Sequence, residues 1–181
     1  LKDNTLKHAI FADANALLAE SFLNLEEKDS AVAKLKIAEQ FTKVNAEKAR
    51  YRFVLGQLYQ ELGKKDSAGY CYQSVIDMNR KAERKYVIQA YAKKAQLFDY
   101  ETGDKAAFVE TYNKLIKDRE NRPFLDVLFH EMGVFYDKNE DKLGKNPRIG
   151  MMYNVWRKMK PEDKVALLEQ ADYYLKNINN L

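Results

Sequence analysis

The chain has 181 residues, 46% of them apolar, with 31 basic against 27 acidic side chains and a net charge of +4. The apolar share excludes a disordered chain, and the mild charge excludes the strongly basic footprint of a nucleic-acid binder. Seven Gly and three Pro are too few for the many turns of a sandwich or barrel, and a single cysteine excludes an internal disulfide or a cysteine-built zinc site.

The opening Leu1-Lys2-Asp3 has neither an initiator Met nor a leader, so the sequence reads as a piece of a larger protein or a processed one. No apolar run approaches the ~18 residues of a membrane span. A first helix pair is expected near residues 5–43. Leu18, Phe22 and Leu25 lie on one helical face, and Leu35 and Ala38 lie on the next. Between them stands Lys28-Asp29-Ser30-Ala31, which recurs 37 residues on as Lys65-Asp66-Ser67-Ala68. The match extends both ways, with Leu55, Tyr59 and Leu62 before the second copy and Tyr72 and Val75 after it. The second pair therefore falls near 46–79.

A third pair is expected near 84–119, with Ala95 and Phe98, then Gly103, Tyr112 and Leu115, and an adjustment of one residue in its turn. The first helix of a fourth unit spans 122–139, after Pro123 and with Met132-Gly133 and Tyr136. Residues 141–181 depart from the pattern. Lys142 to Gly150 reads as a loop, Met151 to Met159 as a short helix, and Pro161-Glu162-Asp163 opens a capping helix to about Asn177.

The second unit, Leu55-Gly56, Tyr59, Gly63, Ala68, Tyr72, resembles the tetratricopeptide repeat. Gly56 and Ala68 suit a close approach of two helices, and Tyr59 and Tyr72 fill the space beside them. Gly63 suits a left-handed helix end, and Asp66 and Ser67 suit acceptors at the next helix start. The resemblance implies an all-α, right-handed superhelical solenoid of antiparallel helix pairs, with terminal units altered to cap the stack.

Nothing in the sequence carries catalysis. His130-Glu131 lacks the second His of a metalloprotease helix, and Gly144-Lys145 lacks the rest of a phosphate loop. Cys71, between Tyr70 and Tyr72, reads as a packed small side chain. The expectation is a non-enzyme with no metal and no cofactor. In the resembled family the first helix of each pair lines a groove that holds a partner protein. Carried over, that groove takes Glu20 from the first unit and Arg50, Phe53, Gln57, Gln60 and Glu61 from the second. Gln89, Gln96 and Asp99 come from the third, and His130 from the fourth. The Lys, Asn and Arg set that grips a terminal carboxylate in part of the family is missing at these positions.

Residues 142–160 hold Lys142, Lys145, Arg148, Arg157, Lys158 and Lys160 and no acid, interleaved with Met151, Met152, Tyr153, Val155, Trp156 and Met159. Two readings stand: a cap packing its apolar face on the last repeat, or a docking patch for an acidic partner.

Three segments narrow the resemblance: Ala49 to Tyr59 followed by Val75 to Asn79, Tyr91 to Leu97, and Glu120 to Asp126. They are similar to the PorW/SprE-like repeat lipoproteins of the type IX secretion and gliding apparatus. This implies a scaffold among secretion-machinery subunits at the periplasmic face of the outer membrane. It would be held there by a lipid anchor outside this stretch, since Cys71 lies mid-helix. The rival readings are a general adaptor holding a peptide in its groove, in the cytoplasm or elsewhere, and a recruiting module of a larger enzyme.

Overall fold

Apolar spacings of three and four become helices along the chain. The computed structural model describes residues 2–139, with side chains from Lys7 onward. The elements are α1 (Lys2–Asn24), α2 (Lys28–Phe41), α3 (Asn45–Glu61), α4 (Lys65–Met78), α5 (Arg84–Gln96), α6 (Lys105–Lys117) and α7 (Leu125–Lys138). Short 3-10 turns at Asn79–Lys81 and Arg119–Phe124 precede α5 and α7. No strand occurs among the described residues. The fold is all-α, with neighbouring helices packed in pairs as in a tetratricopeptide-like solenoid. The basic loop, the 151–159 helix, the final helix and all six residues of the basic patch lie outside the described residues.

The chain divides into two units, Leu1–Glu131 and Met132–Leu181. Of the second unit, the described part is the end of α7, where the Phe135 and Tyr136 rings meet edge to face at 5.7 Å.

In the first unit the 37-residue period is visible bond by bond. The turn after α1 closes with Glu27 N donating to Phe22 O at 2.9 Å and Glu26 N to Leu23 O at 3.0 Å. The turn after α3 repeats this with Lys64 N to Tyr59 O at 2.8 Å and Gly63 N to Gln60 O at 3.1 Å. This paired arrangement satisfies the last carbonyls of a helix and requires one left-handed residue. Gly63 supplies it at φ 72°, and Glu26 is forced into it at φ 60°. Such short turns make each pair antiparallel. Left-handed backbone costs a side-chain-bearing residue about 1–2 kcal/mol, part of which glycine gives back in unfolded-state entropy. Glu26→Gly is therefore expected to stabilise the chain by about 0.5–1 kcal/mol in urea unfolding.

Asp66 and Ser67 do not cap α4. The cap position is Lys64, with no side-chain hydrogen bond, and Asp66 sits inside the first turn, where its charge favours the helix dipole. Lys64 and Lys28 instead stitch the two turns together, pairing with Asp29 at 3.2 Å and with Glu61 at 2.8 Å.

The core follows the small residues. Ala31 and Ala68 are both fully buried at equivalent positions of α2 and α4. One cluster joins Ala19, Val32, Leu35, Leu55, Leu58 and Cys71 across α1 to α4. The next joins Phe53, Ala68, Tyr72, Val75 and Ala90 across α3 to α5. Gly56 lies under the Tyr72 ring: a β-carbon there would stand 2.5 Å from Cε1.

The third pair departs from the period because its turn, residues 97–104, is built differently. Asp99 accepts from the Glu101 amide at 2.8 Å and from the Thr102 amide and hydroxyl. Gly103 passes so close to Asp99 O that a β-carbon would stand 2.3 Å from it. Asp104 then caps α6 through the Ala107 amide at 2.9 Å. The pair is fastened at its other end by a polar knot. Fully buried Asn121 donates to Leu115 O at 2.8 Å and accepts from Arg84 Nε at 2.6 Å. Arg84 also reaches Asp118 at 2.9 Å, which ties the start of α5 to the end of α6.

Candidate functional site

The residues expected to line a groove divide by what the fold does with them. Phe53 is not a surface anchor. It is 6% exposed, and its ring lies 5.9 Å from that of Tyr72 and 5.8 Å from that of Tyr86. Its side chain is the joint between the second and third pairs.

Four further positions are engaged within the chain. Gln60 accepts the Tyr72 hydroxyl at 2.9 Å, which gives that buried phenol its partner. Glu61 pairs with Lys28. Gln96 donates to Glu131 at 3.2 Å, bringing α5 and α7 together. Asp99 organises its own turn, and the Thr102 hydroxyl followed by the Glu101 amide holds its carboxyl below the ordinary range. Glu20, Arg50, Gln89 and His130 are exposed on α1, α3, α5 and α7, and Gln57 is half-buried on α3. These five are the polar positions of the set that show no such use among the described residues.

Two clefts lie on the other side of the pairs, among the second helices. One, of about 910 Å³, runs between α2 and α4 over Leu55, Tyr59 and Cys71, with the Glu39–Arg52 pair (2.8 Å) and the 75%-exposed Tyr70 at its edges. The other, of about 540 Å³, lies between α4 and α6 and is lined by Ile76, Arg84, Tyr91, Leu115 and Asp118. Neither was visible as a motif. Tyr70, an aromatic beside the buried helix face, was the available signal for the first.

Cys71 brings a thiol to the floor of the first cleft, but burial, aided by the Glu39 carboxylate, pushes that thiol up to about 11. A thiol is reactive only as thiolate. Native protein at pH 8 is therefore expected to resist alkylation at Cys71 and to be labelled fully after denaturation, as read by mass. The unfolded chain loses this proton first, so Cys71 weakens the fold as pH rises from 9 towards 11. Among the described residues no three of His, Cys, Asp and Glu gather as a metal site requires. No helix among them is long and apolar enough to cross a membrane.

Residues 49–81, from within α3 to the turn before α5, match the tetratricopeptide repeat family. No curated protein matches the chain. The matched stretch is the pair in which Gly56, Gly63, Ala68 and Tyr72 have the contacts described above. A tetratricopeptide repeat supports a protein–protein interaction scaffold.

Proposed function

We propose that this chain is a non-enzymatic scaffold that holds other proteins, and that it serves among the subunits of the type IX secretion and gliding machinery. The observation that carries the first part is the matched repeat at 49–81, with Arg50 exposed on its first helix and Gln89 exposed on α5. Polar side chains on a rigid helical frame are a surface built for recognition, since the frame is already ordered before binding. The groove residues of this reading are Glu20, Arg50, Gln57, Gln89 and His130.

The second part rests on the likeness of residues 49–59, 91–97 and 120–126 to the repeat lipoproteins of that apparatus. On this reading the protein works at the periplasmic face of the outer membrane, attached through a lipid anchor outside this stretch. Fractionation of source cells after chemical crosslinking tests it. The protein is expected in the outer-membrane fraction, crosslinked to secretion-machinery subunits. Recovery in the cytosolic fraction would contradict the secretion role and leave the general adaptor.

A further inference from the structure

The 37-residue period sorts charge between the two ends of the helices. Three connections in register, residues 42–48, 79–85 and 116–122, carry nine basic and four acidic side chains. The three turns at the other end, residues 24–30, 61–67 and 98–104, carry three basic and eight acidic ones. The cations of the connections stand in two columns, each spaced by 37 residues: Lys43, Arg80 and Lys117, and then Lys48, Lys85 and Arg122.

The fold brings these connections to one edge of the first unit. Ala49, near the start of α3, packs with Met78 and Ala82 of the next connection and with Val87. Asn79, Arg80 and Arg84 share a cleft with Asp118 and Glu120 of the third. Lys43, Arg80, Lys81, Lys117 and Arg119 are exposed, and no carboxylate pairs with them among the described residues. Most of the acids on this edge are occupied. Glu47 accepts the Thr42 hydroxyl at 2.5 Å, and Glu83 and Asp118 pair with Lys85 and Arg84 at 2.9 Å. Glu120 is exposed.

Helix energetics accounts for the first column alone. Lys43, Arg80 and Lys117 follow or close α2, α4 and α6, where a cation suits the carbonyl end of the dipole. Arg84 and Lys85 instead open α5, with no acid in its first turn, and cations there work against the dipole.

We infer that this basic edge rests on a membrane surface of anionic phospholipid headgroups. Val44 is the one large apolar side chain that the edge exposes among the described residues. The edge therefore lacks the apolar centre of a tight protein interface. Headgroups ask only for clustered cations that reach one surface. The acidic turns at the far end of the helices agree: an anionic surface repels them and holds the molecule with its basic edge down. An acidic protein segment would make no use of them. The inference deepens the outer-membrane reading and rests on it for which membrane is met; cell fractionation and vesicle binding can each fail without the other.

The test mixes the 181-residue chain with vesicles of phosphatidylcholine, alone or mixed with phosphatidylglycerol, and reads the fraction that pellets with them. Binding is expected to the mixed vesicles only, and it should fall with added salt. Lys43→Gln/Arg80→Gln/Lys117→Gln should weaken it by about tenfold or more, since each cation near such a surface is worth about fivefold, with an unchanged thermal midpoint. Lys64→Gln/Lys65→Gln/Lys105→Gln removes the same charge from the acidic end and should bind as the native chain does. Absence of binding to the mixed vesicles, or equal weakening by the two triple changes, overturns the inference. So does binding that the first triple change leaves intact, which would assign it to the cations of residues 142–160. Tighter capture by poly-glutamate or by RNA at the same salt would assign the edge to an acidic protein segment or a nucleic acid, again against the inference.

Discussion

Phe53→Ala is expected to cost about 3–5 kcal/mol in denaturant unfolding, the range for an aromatic deleted from a packed interior. The ring has almost no contact with water and separates Tyr72 from Tyr86, so its removal leaves a void between the second and third helix pairs. Arg50→Ala, one helical turn away and exposed, is expected to change stability by less than about 0.5 kcal/mol. If the two substitutions proved equally mild, Phe53 would belong to the surface and the joint between the pairs would lie elsewhere.

Tyr72→Ala is the second large effect, again about 3–5 kcal/mol. The ring is fully buried against Gly56, Ala68 and Phe53, and its hydroxyl is satisfied by Gln60. Burial pushes its phenol above the ordinary tyrosine range, consistent with a group shielded from water. Gly56 and Tyr72 should also be coupled. In the native background Gly56→Ala drives a methyl into the ring and is expected to cost about 1–3 kcal/mol. With Tyr72→Ala in place the clash has no partner, and the same change should be neutral or stabilising, because alanine is the better helix former by about 1 kcal/mol. A four-cornered cycle of urea midpoints measures this coupling. Strict additivity of the two changes would mean that α3 and α4 do not meet at this point.

The architecture was legible where the period repeats locally. Lys28-Asp29-Ser30-Ala31 and its copy mark turns of three residues closed by the same hydrogen bonds, and a turn of that kind is encoded by adjacent residues. The left-handed position was legible as Gly63 and hidden at Glu26, because nothing about a glutamate announces positive φ. The third turn was harder to read. It depends on Asp99 gathering two amides and a hydroxyl and on Gly103 lying against a carbonyl, neither of which follows a hydrophobic pattern.

The groove was less legible than the fold, for a reason Phe53 illustrates. An aromatic among Arg50, Gln57 and Gln60 reads as an exposed anchor when one helix is considered alone. Its burial is decided by Tyr86 on α5 and by the small Ala90, residues that only tertiary packing brings to it. Gln60, Glu61 and Gln96 find side-chain partners in Tyr72, Lys28 and Glu131, which lie 12 to 35 residues away in sequence. The Arg84–Asn121 knot has no signature in the sequence: its members are spread from 84 to 121, and a buried asparagine looks like any turn asparagine until its carbonyl partner is known.

The most direct test of a scaffold that binds through its first helices is affinity capture from source-cell envelopes after crosslinking. The native chain is compared with Arg50→Glu/Gln57→Ala/Gln89→Ala, a variant that leaves Phe53 and the core untouched. The account predicts that the native chain retains at least one protein in near-stoichiometric amount, and that the variant, with an unchanged thermal midpoint, loses it. Recovery of the same proteins in the same amounts by both would contradict it.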